Sequence, residues 1–272
     1  MGRYLIDQGK VLACQAGTSA LRIMFITRAE RTLKRGFVAQ LTSMGLRALA
    51  MLVLALIASA AAEDLHVEDW SEQTIGAKGV PLGWTKYETI GGRPAYDFMI
   101  VEDEGRRALF LKSSNEHSTM AKEIKVNLRA TPILEWSWKV VRLPAGADIR
   151  TKETSDLTGH IYVIWPRFPA ILRARLIGYV WDTSAPAQTI EKSRKTGTVH
   201  FFVLRSGPVQ LNQWLTERRN VYDDYRRVFG EDPEDPRAIA LSIDTNDTHS
   251  TAEALIGRIR FTSASGSAQS SP

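Results

Sequence analysis

Along most of this chain, apolar and polar positions alternate one by one rather than recurring every three or four residues. The clearest case is "PILEWSWKVVRL", where Leu134, Trp136, Trp138 and Val140 fall on one side and Glu135, Ser137 and Lys139 on the other. That is the period-2 pattern of a half-buried strand. "AYDFMIV" (95–101) and "RALFLKS" (107–113) flank "EDEGR", a turn signal around Gly105, and predict a hairpin. "GHIYVIW" (159–165), "LIGYVW" (176–181) and "TVHFFVL" (198–204) are rich in β-branched and aromatic residues and predict central strands. "AIALSID" and "ALIGRIRF" close the series; in the second, Leu255, Gly257, Ile259 and Phe261 are expected inward, Arg258 and Arg260 outward.

One segment carries a helical period. In "GPVQLNQWLTERRNVYDDYRRVFG", a stripe from Leu211 through Trp214, Leu215, Arg218, Val221, Tyr225 and Phe229 repeats at three- and four-residue steps. Pro208 suits the first turn and Gly230 the position just past the end. Asp223 and Asp224 precede Arg227 by four and three residues, which predicts ion pairing on the outer helix face. Strands that do not alternate with helices argue against a parallel α/β fold. The expected fold is all-β: an antiparallel, jelly-roll-like (galactose-binding-like) β-sandwich with one amphipathic helix.

The apolar run Ala48–Ala58 breaks this pattern. It follows Arg47 and ends in Ser59-Ala60-Ala61-Ala62, the three-part form of a secretory signal peptide, with cleavage expected after Ala62. The run is shorter than the roughly 20 residues that span a bilayer. Residues 44–62 are therefore read as the signal and 1–43 as an extension outside the folded domain, non-native or disordered, with Met44 the expected start of translation. Residues 63–262 are expected to form a single sandwich domain, and 263–272 ("SASGSAQSSP") a disordered tail.

This division changes the meaning of the charge. Residues 1–62 hold 8 Lys+Arg against 2 Asp+Glu, and 63–272 hold 27 against 28, so the net charge of +5 belongs to the N-terminal segment. No basic face for nucleic acid is predicted. Cys14, the single cysteine, precedes the expected cleavage site, so the mature chain has neither disulfides nor thiolate ligands. A periplasmic or secreted protein, not integral to the membrane once the signal is removed, is the expectation.

Candidate chemistry gathers at "DTNDTHS". Asp244, Asn246 and Thr248 stand at positions 1, 3 and 5 of a calcium loop, but His249 and Leu255 replace the Gly and Glu that an EF-hand needs. Asp244 and Asp247 are the carboxylates a sandwich-type calcium site would use; no other cofactor is expected. The competing reading is a tight connection in which Asp and Asn bond to their own backbone. No H-E-x-x-H, G-x-S-x-G or phosphate loop exists, and no catalytic residue is assigned. Seven Trp lie in the mature chain, and Trp138, Tyr179 and Trp181 are candidates for a platform against which sugar rings stack.

"GVPLGW", "LEWSWKVVRLPAGADIR", "HIYVIW", "WLTERRNVYDDYRRVFGEDP" and "IALSIDTNDTHSTAEALIGRIRF" together resemble the bacterial domain of unknown function 3047 family, from about Trp70 to Phe261. The resemblance implies an exported sandwich protein without an established activity. Two departures stand out. Where members read D-x-D-N-T this chain has Asp244-Thr245-Asn246-Asp247-Thr248, and where they carry paired acids and an Arg before the I-Y-V strand it has Ser155-Asp156 and His160.

The leading expectation is non-catalytic binding of a glycan or other envelope component through Trp138, Asp156, Tyr179, Trp181, Asp244, Asn246 and Asp247. A glycan-active hydrolase or lyase using Asp156, Glu135 and Asp244 is the alternative, and an envelope assembly protein acting through protein contacts is the third class.

Overall fold

The computed structural model describes residues 64–87, 94–167 and 173–264, all within the unit Ala62–Pro272. The expected extension, signal peptide and Cys14 lie outside the described residues, as does the tail from 265 onward. In chain order the strands are β1 (Leu65–Glu68), β2 (Thr85–Lys86), β3 (Asp97–Asp103), β4 (Arg106–Ser114), β5 (His117–Glu123), β6 (Ile133–Arg142) and β7 (Leu157–Trp165). They continue as β8 (Arg175–Asp182), β9 (Ile190–Lys192), β10 (Val199–Ser206), β11 (Leu215–Asn220), the helix α1 (Val221–Phe229), β12 (Ala238–Asp244) and β13 (Thr251–Thr262).

They form a sandwich. A six-stranded sheet runs β11-β6-β13-β4-β3 with β1 also paired to β13, and a seven-stranded sheet runs β2-β5-β12-β7-β8-β10-β9. All pairings are antiparallel except β8 with β10. The β3–β4 hairpin closes on Glu104 and Gly105, both at positive φ, the geometry that matches strand twist in a two-residue turn. Between the sheets lies one core fed by alternate residues: Leu134, Trp136, Trp138 and Val140 of β6 meet Ile177, Tyr179 and Trp181 of β8 and Ile239, Leu241 and Ile243 of β12. Among the described residues no helix is long and apolar enough to cross a membrane.

Two expectations are corrected. The helix starts at Val221, not near Pro208: Asn220 is its N-cap, accepting from Asp223 N, and Gly230 is its left-handed C-cap as expected. Leu215–Asn220 is instead an edge strand in register with β6, Leu215 opposite Trp138 and Asn220 opposite Ile133. Local helical period yields here to the open edge of β6, whose unpaired backbone groups the segment satisfies. In β13 a bulge between Ile256 and Ile259 shifts the alternation. Ala254 and Ile256 join the core before it, Ile259 and Phe261 after it, while Leu255 and Gly257 do not. One extra residue suffices to flip every preceding side chain.

Candidate functional site

On the outer face of the seven-stranded sheet, small and hydroxylated residues gather on β5 and β12 beside β7. Across its strands, Ala121 of β5, Ala240 of β12, Tyr162 of β7, Gly178 of β8 and Phe201 of β10 stand in one register row. The next row is Thr119, Ser242 and His160. A Cβ on Gly178 would stand 2.8 Å from the Phe201 ring and 3.0 Å from the Tyr162 ring. The missing side chain is thus what lets the two rings, 6.2 Å apart, lean over the strand between them.

Loops roof one half of this face. Ile149 and Ala185 pack on Val180, Val199, Phe201 and Val203, and the buried Asp182 carboxylate holds both loops by accepting from Ile149 N (3.1 Å), Ser184 N (2.7 Å) and Ala185 N. Over the other half, a second buried cluster is formed by the described residues. There Ala121, Ala240 and Ile164 form a floor, and Tyr87, Tyr162, Leu176 and Ala238 stand around it half-buried.

One end of this strip is polar. His117 Nε2 and Thr119 Oγ1 lie 3.0 Å apart, Thr119 Oγ1 and Ser242 Oγ 2.6 Å apart, and His117 Nδ1 is 3.4 Å from Asp244 Oδ2. Lys195 pairs with Asp247, stands 3.9 Å from Asp244 and donates to the Ser155 carbonyl. His160 is buried, with Nδ1 2.7 Å from the Thr158 carbonyl. A carbonyl only accepts, so Nδ1 carries the proton and Nε2, buried without a hydrogen-bond partner among the described residues, presents a lone pair. Burial pushes the Tyr162 phenol up, with Asp244's charge adding to the effect, so the hydroxyl stays protonated.

The turn between β12 and β13 is built by its neighbours. Asp156, fully buried, accepts from Asp247 N (3.1 Å), Thr248 N (2.6 Å) and Thr248 Oγ1 (2.6 Å). Thr245 N donates to the Glu116 carbonyl (2.8 Å), and Thr245 Oγ1 lies 2.7 Å from Ser113 Oγ. Asn246 Nδ2 donates to Asp247 Oδ1 (3.3 Å). Burial raises the Asp156 carboxyl above its usual range against the hydrogen bonds from Thr248, and Asp244's charge pushes the same way.

The structure thus brings Asp156, Asp244, Asn246 and Asp247 to one corner, as a hydrogen-bonded turn. Lys195 supplies the cation between Asp244 and Asp247, and among the described residues no group of three or more His, Cys, Asp or Glu side chains is arranged to hold a metal. A calcium ion there would have to displace the ammonium. Glu135, the third acid of the hydrolase reading, points out of the opposite sheet into Arg218 and Arg260, so the three acids do not share a substrate.

The aromatic platform is corrected as well. Trp138, Tyr179 and Trp181 are each 0% exposed and stack between the sheets, Trp138 5.9 Å from Trp181 and Tyr179 5.3 Å from Trp136. Their polar atoms are taken internally, by Glu217, Asp224 and the Gly207 carbonyl. They sit at inward positions of β6 and β8, where alternation puts core, so no sugar ring reaches them. Tyr87, Tyr162, His117 and Lys195, which the sequence pattern does not single out, are the side chains that border the strip. The usable signal was the outward parity of Tyr162 on β7, opposite Gly178.

His160 gives a pH prediction. Burial lowers its pKa to about 4 from 6.5, His117's charge contributing and the Thr158 carbonyl opposing. The unfolded chain therefore binds the proton first as pH falls, and stability is lost between about pH 6.5 and 4. The loss amounts to roughly 3 kcal/mol over that window. Asp156 and Asp182, both raised by burial, act in the opposite sense in wild type and variant alike. Urea titrations from pH 7 to 4 should show a shallower acid loss in His160→Gln than in wild type; equal slopes would refute the assignment.

A family model for a protein of unknown function, DUF3047, matches residues 82–260. No curated protein matches in sequence. Among solved structures, the family 11 carbohydrate-binding module of a Clostridium thermocellum cellulosomal cellulase is similar over 75% of this chain and 97% of its own, at 9% identity and a TM-score of 0.40. The family 30 module of another cellulosomal cellulase of that organism covers 75% and 99%, at 11% identity and 0.41. The xyloglucanase domain of NopAA, a type three effector from Sinorhizobium fredii, covers 71% and 100%, at 11% identity and 0.37.

Proposed function

The chain belongs to the DUF3047 family of proteins of unknown function, and we propose that it is an exported, non-catalytic binder of an envelope or environmental glycan, acting in the periplasm or outside the cell. The observation that carries this reading is the strip on the outer face of the seven-stranded sheet. Two half-buried tyrosines, Tyr87 and Tyr162, border the buried pair Ala121 and Ala240, with the partly exposed His117 and Lys195 at one end. A sugar ring needs both kinds of surface: a flat apolar face for its C–H side and fixed donors and acceptors for its hydroxyls. Ala121 and Ala240 are themselves buried, so a sugar ring would stack on the exposed parts of the tyrosines and not on the floor between them.

Binding to a panel of soluble glycans, followed by calorimetry on the full chain, tests this. Tyr162→Ala is expected to weaken the best ligand roughly tenfold, the loss of one stacking contact of about 1.4 kcal/mol. Tyr162→Phe keeps the ring and should retain most of the affinity. Because Tyr162 also leans on Phe201, thermal melting separates lost binding from lost fold. A panel without a single binder would sink the reading and favour a protein partner in the envelope.

A further inference from the structure

The opposite face of the sandwich holds a second, unrelated concavity. Strand β13 is bordered by β4 as far as Ile256, opposite Leu109, and by β1 from Ile259 onward. Gly257 and Arg258 fall in the exchange, inside the bulge where β6 also has no partner for them. The groove there encloses about 320 Å³. A Cβ on residue 257 would stand 2.3 Å from Ser137 Oγ and 3.3 Å from the Trp214 ring, so the floor must be bare backbone.

Three arginines line this groove, and two more bind the Glu135 that also lines it. Arg218 and Arg260 are tied to the buried Glu135 carboxylate, Arg260 through Nε at 2.8 Å and Nη2 at 2.7 Å. Those two account for the network that holds β6, β11 and β13 together. Arg106, Arg107 and Arg258 are different. The Arg106 guanidinium lies over the Trp214 ring at 5.6 Å, and Arg107 donates to the carbonyls of Ser71 and Gln73, neutral groups in both cases. Among the described residues neither forms an ion pair with a carboxylate. Arg258, with a side chain 52% exposed, makes a 3.5 Å ion pair with the Glu135 oxygen that Arg260 also binds. The groove's other acid, Asp69, is engaged by Ser71 through its backbone and hydroxyl.

Two guanidiniums, Arg106 and Arg107, are thus held by neutral contacts around a pocket of single-sugar size, and a third, Arg258, faces it while sharing one Glu135 oxygen with Arg260. We propose that this groove binds an oxyanion, the carboxylate, sulfate or phosphate of a ligand no larger than an acidic monosaccharide. Guanidinium forks match oxyanions bidentately, and Ser137 and Thr216 add hydroxyls at the wall. The bulge aims Arg258 into the groove, a common use of bulges beside binding sites.

The test is a titration of the full chain at constant ionic strength with sulfate, phosphate and galacturonate, and with chloride and galactose as controls. Side-chain Nε–H NMR signals of the arginines are the readout. Saturable shifts are expected for at least one oxyanion, about tenfold weaker in Arg258→Gln and in Arg106→Gln. Both positions are exposed, so the variants should melt as wild type does. Saturation by galacturonate alone would assign an acidic sugar, and saturation by sulfate or phosphate a free or esterified anion. Linear shifts matching chloride, equal binding of galactose, or affinities unchanged in both variants would overturn the proposal. Tyr162→Ala lies on the other sheet and should leave this titration unaltered, so the two sites stand or fall separately.

Discussion

Asp224→Ala is expected to destabilise the protein by about 3–5 kcal/mol, the cost of removing one partner from a buried ion pair. Asp224 is 5% exposed, though it sits next to the exposed Asp223 on a helix that reads as a surface element. Its carboxylate accepts from Arg219 Nε (2.9 Å) and Nη2 and from the Tyr179 hydroxyl (2.9 Å). Arg219 in turn lies over the Phe202 and Tyr179 rings, at 5.2 and 5.9 Å, and reaches across the mouth between the two sheets. Without Asp224, a half-buried guanidinium and a buried phenol lose their acceptor together. For a domain of this size the melting temperature should fall by roughly 10 °C. Asp223→Ala, which removes an exposed first-turn carboxylate that accepts from the Asn220 side chain, should cost no more than about 1 kcal/mol. The double replacement Asp224→Leu with Arg219→Met removes both charges and should recover part of the loss. Equal, small effects of Asp223→Ala and Asp224→Ala would refute the buried pair.

Asp156→Ala is expected to cost about 3 kcal/mol and to loosen the β12–β13 turn selectively. The carboxylate serves three donors from Asp247 and Thr248, and among the described residues none of them has another acceptor except the Thr248 hydroxyl, which lies 2.7 Å from Ser250 Oγ. Two backbone N–H groups would be left without a partner, and buried unsatisfied donors carry a penalty of about 1–3 kcal/mol each. The melting temperature should fall by roughly 6–12 °C. Amide exchange at Asp247 and Thr248 should accelerate well before that of β12 itself. Asp156→Asn keeps one acceptor oxygen and removes a charge that burial disfavours, so it should be milder than Ala. If the Ala variant melts like wild type, water fills the corner and the carboxylate does not hold it.

What the sequence determined by itself is the set of faces. Period-2 alternation placed Leu134, Trp136, Trp138 and Val140 inward and Glu135 and Ser137 outward on β6, and the structure has them so. The hairpin about Gly105, the strands β7, β8, β10 and β12, and the helix end at Gly230 were legible for the same reason: their signals are local, carried by residues two to four apart. The motif runs carried the family, which the match over 82–260 shows.

What only the tertiary structure decided is which partner each face meets. β5, "HSTMAKE", has no clean alternation, and it is a strand because β12 pairs with it along its whole length. Leu215–Asn220 has a helical stripe, and it is a strand because β6 would otherwise end the sheet with open hydrogen bonds. Trp138 and Trp181 looked like candidates for a sugar platform until the second sheet closed over them. Asp156 joins Asp247 and Thr248 across some ninety residues, and Asp224 joins Tyr179 across 45. A pattern repeating every two or four residues records whether a side chain is to be covered. It holds no record of what covers it, because the covering group arrives from a distant part of the chain and its effect on charge, hydrogen bonding and access exists only once the two sheets have met.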